Sequence, residues 1–552
     1  GYLDGFVDRA SLKNLTSLKN DVKVIVDSNY FTTYGTGGFA GDANGMFRNI
    51  TLENIKNFDV KHSAIVDLPG GVHWKHYAYG VGGFAGSIFG FVDGISLKNV
   101  ENLSIRESEI RKPIYGPYIS EYFIGLGGFA GYVTNGNFSN ISLNNIKNIN
   151  FKATQSKPPY DEKYFWTFSE ANIGGFAGRI DGGNFEDINL KTIHGLTHDK
   201  NAKEEYIDSS LGGFAGVITN GVFNKIALND IKNLNMTLYG DYKAAAYLGG
   251  FAGIIDIGEF KNILLNDISG IKIQATLSKG ESWLDEGILF GGFAGSIGQT
   301  YLSEFNPPKF NNISLKNINN INLFYTDQSE YPKANMYIGG FAGDIEEGKY
   351  ENIYLDNING INVNGRYGSI GGFAGNIYIK HNDTNLYKNI YLNNIGNITT
   401  SGNRFLIGGF SGGITIGEVG GKFENIIIKN IHDIKHNING DEHFRSANIA
   451  GFVAGFHEIY GYNYGKIEFN DIFIDGINNI SIKNPTTQNS AIYGFAPSYY
   501  NSDRKFKFNN IHVYFHPNTT FTNSNVKIYK FSDKITDNMS NIHIYHHEND
   551  FT

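Results

Sequence analysis

The sequence predicts an all-β protein, a right-handed parallel β-helix of about twelve coils with three short strands in each coil and variable loops at one corner. Three observations predict this fold. A five-residue motif recurs along the chain, a pattern of apolar residues follows each copy, and asparagines occupy fixed places in that pattern. Recurrence at intervals of a few tens of residues is typical of stacked repeats, in which each unit contacts only its neighbours.

The recurring motif is GGFAG or a close variant, and successive copies lie between 32 and 48 residues apart. A glycine pair fits a corner where positive φ or a closely approaching chain segment excludes a Cβ atom. We expect the aromatic residue to point inward and to stack on its counterpart in the next coil. These structural residues are Phe39, Phe84, Phe129, Phe176, Phe214, Phe251, Phe293, Phe341, Phe373, Phe410, Phe452 and Phe495.

The pattern that follows each motif is illustrated by EFKNILLNDISGIKI (259–273), whose apolar residues are separated by steps of 3, 2, 3, 3 and 2. A helix would use steps of 3 and 4, and a simple strand would use steps of 2 only. Mixed steps of 2 and 3 predict short strands joined by bends, because one extra residue at a bend returns the next side chain to the inward face.

Asparagine marks these predicted bends. Asn tolerates the left-handed backbone conformation, and amides stacked at one level can hydrogen-bond along the stack. The residues concerned are Asn262, Asn312, Asn352, Asn389, Asn425 and Asn510 at one bend, and Asn317, Asn357, Asn394 and Asn430 at the next.

Composition narrows the class of protein. The 552 residues carry a formal net charge of −8 without a basic tract, so no nucleic-acid partner is expected. No apolar run reaches the roughly 18 residues of a transmembrane helix. The absence of cysteine excludes disulfides and favours a secreted or cell-surface protein. GFVDRASLKNL (5–15) aligns with GFVDGISLKNV (90–100), so we expect the chain to start inside a coil.

Two regions are predicted on this basis. Residues 1–515 form the β-solenoid, and residues 516–552, where the repeat decays, form either a degenerate final coil or a C-terminal cap. Because a solenoid leaves strand edges unpaired at its ends, self-association end to end or side by side is also expected.

The string IGGFAGxIxxGxFxNI resembles the GLUG motif, whose core is Gly-Leu-any-Gly followed by Gly-x-Ile/Phe-x-Asn, with Phe here in place of Leu. The resemblance covers roughly residues 30–515. It implies the right-handed β-helix of bacterial surface and secreted proteins, including passenger regions of Gram-negative autotransporter adhesins, anchored to the outer membrane through a region outside this chain. Such repeats are scaffolds, so the resemblance implies no particular activity.

Aromatic insertions between repeats are the predicted ligand contacts, because Tyr and Trp dominate binding hot spots. They are Trp74, Tyr77, Tyr79, Tyr115, Tyr118, Tyr160, Tyr164, Trp166 and Trp283. The alternative is that these side chains only cover the flank of the solenoid. The function expected is that of an adhesin or interaction scaffold for a protein or glycan on a host or neighbouring cell. The alternatives are the stalk of a larger toxin or surface protease, and a polysaccharide-cleaving enzyme.

Catalytic and cofactor chemistry is not expected. A dinucleotide-binding glycine turn occurs once and opens a helix, whereas GGFAG recurs and is followed by a strand. Calcium-binding β-rolls need an acid in every repeat, but only Asp42 and Asp344 follow the motif directly. A glycan-cleaving site needs converging carboxylates. The acidic neighbours Asp161–Glu162, Asp285–Glu286 and Glu346–Glu347 are predicted to be solvated, so we expect no enzymatic activity, metal or cofactor.

Overall fold

The structure is a computed structural model that describes residues 1–26, 32–66, 75–111, 120–155, 168–202, 206–241, 243–278, 286–298, 307–328, 335–380, 385–438, 446–458, 465–483, 490–498, 506–516, 521–522, 526–533 and 539–546. Within these ranges every regular element is a β-strand. The same ranges contain no helix with the length and apolar character needed to cross a lipid bilayer. The prediction of an all-β repeat protein is therefore confirmed.

The chain forms two compact units. Unit 1 comprises Gly1–Ile255, Gly270–Gly287 and Thr326–Lys333, and unit 2 comprises Asp256–Ser269, Ile288–Tyr325 and Ala334–Thr552.

The strands up to Ile255 are β1 (Tyr2–Lys13), β2 (Leu18–Val26), β3 (Thr32–Gly37), β4 (Ala40–Val66), β5 (Lys75–Gly82), β6 (Ala85–Arg111), β7 (Ser120–Gly127), β8 (Ala130–Gln155), β9 (Phe168–Gly174), β10 (Ala177–Ile180), β11 (Asn184–Ala202), β12 (Tyr206–Gly212), β13 (Ala215–Ile218), β14 (Val222–Gly240), β15 (Lys243–Gly249) and β16 (Ala252–Ile255).

The remaining strands are β17 (Glu259–Leu277), β18 (Glu286–Gly291), β19 (Ala294–Ile297), β20 (Lys309–Asp327), β21 (Asn335–Gly339), β22 (Ala342–Glu346), β23 (Lys349–Asn364), β24 (Tyr367–Gly371), β25 (Ala374–Ile379), β26 (Asn385–Gly402), β27 (Arg404–Gly408), β28 (Ser411–Ile416), β29 (Gly421–Ile438), β30 (Ser446–Ala450), β31 (Phe456–Glu458), β32 (Ile467–Lys483), β33 (Ala491–Tyr493), β34 (Phe506–Phe515), β35 (Phe521–Thr522), β36 (Lys527–Tyr529) and β37 (Met539–His546).

Both units are parallel β-solenoids in which each strand pairs in register with its counterpart in the next repeat. One sheet holds the short strands that precede the GGFAG motif, and the other holds the strands that follow it. In unit 1, Ile188 lies opposite Ile226; in unit 2, Ile353 lies opposite Ile390. Identical apolar side chains therefore lie directly over one another, which keeps the register unambiguous.

The strand after each motif is longer than predicted because its hydrogen-bond ladder continues through the bends. Between β11 and β14 the ladder skips a pair at Asp187, at Thr192 and at Gly195, all of which have positive φ, and then resumes. The predicted short strands are thus bent segments of one strand. Every predicted bend asparagine has a φ between 52° and 63°. A third bend, which includes Asn320 and Asn397, was not predicted.

Amides at these bends form hydrogen-bonded ladders. In unit 1, the Asn99 amide donates to Asn54 Oδ1 at 2.8 Å and the Asn145 amide donates to Asn99 Oδ1 at 2.8 Å. In unit 2, the Asn357 amide donates to Asn317 Oδ1 at 3.0 Å, and the Asn394 amide donates to Asn357 Oδ1 at 2.9 Å. The ladders satisfy polar groups at each corner while fixing the left-handed backbone.

The core of each unit contains a continuous stack of the motif phenylalanines. In unit 1 the rings from Phe39 to Phe251 follow one another at 4.7–5.1 Å between centroids. In unit 2 the rings from Phe293 to Phe495 follow at 4.9–5.0 Å, and Phe531 adds a further ring at 5.0 Å. Offset and edge-to-face contacts of this kind add to the gain from burial.

The glycine pair of the motif serves close chain approach rather than positive φ. A Cβ atom added at Gly371 would overlap the carbonyl oxygen of Ala374, and one added at Gly372 would overlap that of Gly409 in the next repeat. The corner therefore excludes any side chain at these two positions.

The repeat continues into residues 516–552. Strand β36 pairs with β33, strand β37 pairs with β34, and Phe531 stacks on Phe495. These elements extend the ladders of unit 2 by one further repeat.

Candidate interaction surfaces

Most of the aromatic residues predicted as ligand contacts lie outside the described residues: Trp74, Tyr115, Tyr118, Tyr160, Tyr164, Trp166 and Trp283. Tyr77 belongs to β5, with its side chain outside the description. The insertions nevertheless occur at one place in the repeat. Those of unit 1 begin where the long strand ends, at Val66, Arg111 and Gln155, and end where the next short strand begins.

Tyr79 requires a correction, because its side chain is only 1% exposed and cannot contact a ligand on the surface. Its hydroxyl lies 2.7 Å from Thr36 Oγ1, which also accepts a hydrogen bond from the Asn20 amide at 2.9 Å. The ring of His62 lies 5.0 Å away. Burial raises the pKa of Tyr79 to about 12, so the phenol stays neutral inside the solenoid.

A second surface is visible in the described strands, and we call it the outer face. In each repeat it is the segment between the first two left-handed bends, where side chains alternate between the core and solvent. Only two residues per repeat point outward, so the face carries two rows of side chains along the stack. Residues of one row lie opposite each other in the strand pairing.

The outer face of unit 2 is aromatic along its first row. From β20 to β37 that row contains Ser314, Tyr354, Tyr391, Ile427, Phe473, His512 and His543. Over the same strands the second row contains Lys316, Asp356, Asn393, Lys429, Asp475, Tyr514 and Tyr545. His543 is exposed, and the other first-row residues from Tyr354 to His512 are half-buried.

Tyrosine and lysine side chains are interleaved on this face. The rings of Tyr354 and Tyr391 are parallel, with centroids 5.0 Å apart. Lys316 Nζ lies 5.8 Å from the Tyr354 centroid, and Lys429 Nζ lies 6.0 Å from the Tyr391 centroid. Each ring face is therefore covered by a neighbouring ring or cation, and the rings present their edges outward. Burial, followed by the Asp356 carboxylate, raises the pKa of Tyr354.

Four rings cluster at the other end of the two rows. The rings of His512 and His543 are 4.7 Å apart, and those of Tyr514 and Tyr545 are 4.3 Å apart. Phe473 lies 4.8 Å from Tyr514. Burial, followed by the adjacent His543, lowers the pKa of His512, which favours neutral imidazole in the stack.

Sequence reasoning missed this surface although a signal was present. The residue after the first inward isoleucine of each repeat is polar or small from Ser11 to Ala227 and becomes aromatic at Tyr354 and Tyr391. The insertions contain more Trp and Tyr than this row does, so the row is the weaker signal in the sequence.

A charged network in unit 1 is internally satisfied. The Arg179 guanidinium lies 4.2 Å from the Phe123 ring centroid, and its Nε lies 2.7 Å from Asp181 Oδ1. Arg179 Nη1 is 3.6 Å from Glu170 Oε2, and the Tyr132 hydroxyl donates to Asp181. These mutual contacts indicate that the network stabilises the solenoid flank.

Within the described residues, the acidic neighbours considered for glycan cleavage do not form a cluster of carboxylates. Asp161, Glu162 and Asp285 lie outside the described residues, as does the side chain of Glu286. Glu347 is buried, and its Oε1 accepts a hydrogen bond from the Lys380 backbone N–H at 3.2 Å. In the part of the chain that the structure describes, no three acidic or histidine side chains converge as metal ligands.

Comparison with known proteins gives no relative: no protein family, no curated protein and no solved structure matches this chain.

Proposed function

We propose that this chain is a surface-exposed interaction scaffold of the adhesin type. It would be a right-handed β-helix of about twelve coils, related to GLUG-type repeats and to autotransporter passengers, secreted by or held at the surface of a Gram-negative bacterium. Its ligand would be a protein or glycan on a host or neighbouring cell, and the chain would have no enzymatic activity.

One observation carries this proposal: the long aromatic insertions enter at the same place in the repeat, between strands that pair in parallel with their counterparts on both sides. The insertions are bounded on both sides by a rigid ladder of paired strands. Loops held by a rigid scaffold are a common location for binding residues.

The test is binding of the purified chain to epithelial cells and to immobilised glycans. Replacing residues 157–167, which lie between β8 and β9, by a short Gly/Ser segment is expected to reduce binding severalfold, because it removes Tyr160, Tyr164 and Trp166. The matched control replaces residues 203–205 (Lys-Glu-Glu), an insertion without aromatic residues, and should leave binding unchanged. Equal binding by both variants would refute the role of the aromatic insertions.

The stalk of a larger toxin or protease is the second candidate, and the outer face of unit 1 favours it. Its first row contains only small or polar side chains, as a passive spacer requires: Ser11, Thr51, Ser96, Ser142, Asn189 and Ala227. A chain that binds neither cells nor glycans, yet is needed for the activity of a domain attached to it, would support this candidate.

A further inference from the structure

The charges in the second row of the unit 2 outer face follow a particular order. From β20 to β32 the row contains Lys316, Asp356, Asn393, Lys429 and Asp475, which reads positive, negative, neutral, positive, negative. Reversing this order exchanges every positive charge with a negative one and leaves the neutral residue in the middle. The row is therefore complementary to itself when read in the opposite direction.

We propose that the outer face of unit 2 pairs with the same face of a second copy of this chain, with the two stacks antiparallel. A two-fold axis along the strand direction at β26 places Lys316 opposite Asp475 and Asp356 opposite Lys429 of the second copy. Asn393 faces its own counterpart at the axis. This is an isologous interface, in which each contact occurs twice.

The first row supports the same arrangement. The axis that pairs the charges also places Tyr391 opposite Tyr391, Tyr354 opposite Ile427, and Phe473 opposite Ser314. Apolar side chains thus meet apolar or small ones along the row. The ring edges point outward, which suits packing of one flat sheet face against another at about 10 Å.

A parallel arrangement of the two copies does not share these advantages. A two-fold axis along the stack would place each residue of the first row opposite the second-row residue of the same repeat. Tyr354 would then face Asp356, and Ile427 would face Lys429. Charged groups would lose water without gaining a partner of opposite charge, which is unfavourable.

The size of the face sets the strength of the expected dimer. Five repeats at about 4.8 Å and four residues at about 3.3 Å give a patch of roughly 24 by 13 Å. That is well below the roughly 800 Å² per partner of a standard stable interface. We therefore expect reversible self-association that depends on protein concentration and weakens with added salt.

Analytical ultracentrifugation of the whole chain across a wide concentration range tests the inference. The unmodified chain should show a monomer–dimer equilibrium. Asp356→Lys places two positive charges opposite each other at two symmetric positions, and Lys429→Asp places two negative charges there. Each single variant should weaken self-association more than about tenfold.

Mixing the two variants separates pairing from misfolding. Asp356→Lys and Lys429→Asp chains are complementary to each other in the antiparallel arrangement, so the mixture should recover the dimer that neither variant forms alone. The double variant, which again reads in a self-complementary order, should also dimerise. Circular dichroism of each variant checks that the β-structure is retained.

Glu53→Lys, at the corresponding row of unit 1, is the matched control and should leave the equilibrium unchanged. A chain that remains monomeric at every concentration overturns the inference, as does a mixture of the two variants that stays monomeric. A face that instead binds an added glycan while the chain stays monomeric overturns it as well. Because no cell or glycan is needed for dimerisation, this inference and the proposed ligand-binding function can fail independently.

Discussion

In unit 1 the first row of the outer face contains Ser96 and Ser142, whereas in unit 2 the same row contains Tyr354 and Tyr391. The backbone beneath is the same: two left-handed bends flank the face, and inward isoleucines and leucines alternate with the outward residues. Second-row side chains bond within the chain in both units: Lys13 lies 3.4 Å from Glu53 in unit 1, and the Asn393 amide donates to Asp356 Oδ1 at 2.8 Å in unit 2.

This comparison shows that stacking constrains the inside of the solenoid far more than the outside. An inward residue must match its neighbours above and below, because one poorly fitting ring leaves a cavity in a densely packed stack. An outward residue has solvent on one side and tolerates Ser, Tyr or Ile at the same place. The surface can therefore differ between the two units while each keeps the same pattern of inward residues.

The largest expected effect tests whether the two cores are equivalent. Phe176→Ala in unit 1 and Phe373→Ala in unit 2 each remove a fully buried ring from the stack. Each should lower the free energy of unfolding by about 4 kcal/mol, measured by urea denaturation with hydrogen exchange to assign the unit. Phe324→Ala, where the side chain is 39% exposed, is the control and should cost much less. Markedly unequal losses at Phe176 and Phe373 would contradict the equivalence.

The second prediction concerns acid, because unit 1 buries His62 and His198 whereas unit 2 buries His436. Burial lowers the pKa of His198 from 6.5 to about 3, and lowers those of His62 and His436 to about 4. The unfolded chain then binds more protons than the folded chain below pH 6.5. The stability contribution is complete above pH 6.5 and is lost as the pH falls towards 4.

The expected slope is about 1.4 kcal/mol per pH unit for each buried histidine. It is measured by urea denaturation between pH 7 and pH 4, with hydrogen exchange reporting each unit. His198→Met, which matches its neighbour Met236 in the ladder, should flatten the slope of unit 1. The slope of unit 2 in the same variant should not change and serves as the control. An unchanged slope in the His198→Met variant would contradict the assignment.

The third prediction concerns the bends that both units share. Asn357 in unit 2 has φ 63°, and its amide bonds Asn317. Asn357→Ala should cost about 3 kcal/mol, because it loses the hydrogen bonds to Asn317 and from Asn394 and places Ala in a left-handed conformation. Asn357→Gly should cost about 2 kcal/mol, because these hydrogen bonds are lost without the backbone strain. Asn99, the counterpart in unit 1, should show the same difference; equal costs for Ala and Gly would exclude backbone strain.

The smallest effect distinguishes the two outer faces themselves. Lys429→Gln removes a cation near the Tyr391 ring and should cost about 0.5 kcal/mol, measured on dilute protein by thermal unfolding. Lys98→Gln in unit 1, whose side chain is 58% exposed and 4.0 Å from Glu53, should cost less still. A larger loss at Lys98 would reverse the order expected for the two faces.

Much of the fold was accessible from the sequence because its constraints are local and repeated. The steps between apolar residues predicted the inward positions. The recurring asparagines, such as Asn262 and Asn317, predicted the left-handed bends. The third bend was missed because its residues vary, from Asn320 to Gly360 to Asp433, so no single letter marked it. Phe531 was not predicted as a stacking residue because no glycine of the GGFAG motif precedes or follows it.

The candidate surfaces were harder to predict. Tyr79 was taken for an exposed contact because it lies beside an insertion, but its position in strand β5 directs the side chain to the interior. Tyr354 and Tyr391, which were not among the predicted contacts, lie on the outer face of unit 2. Whether an aromatic side chain in a strand is core or surface depends on the phase of the alternation, and one extra residue at a bend reverses it.

The sequence by itself determined that the chain stacks, which residues face inward, and where asparagine turns the backbone, because each coil repeats the same local chemistry. Only the tertiary structure decided that the charges of five successive repeats lie in one row. In that row, reversing the order exchanges each positive charge with a negative one. Residues such as Lys316 and Asp475 are far apart in the chain. They become part of one surface because parallel pairing in register brings the repeats between them together at about 4.8 Å per coil.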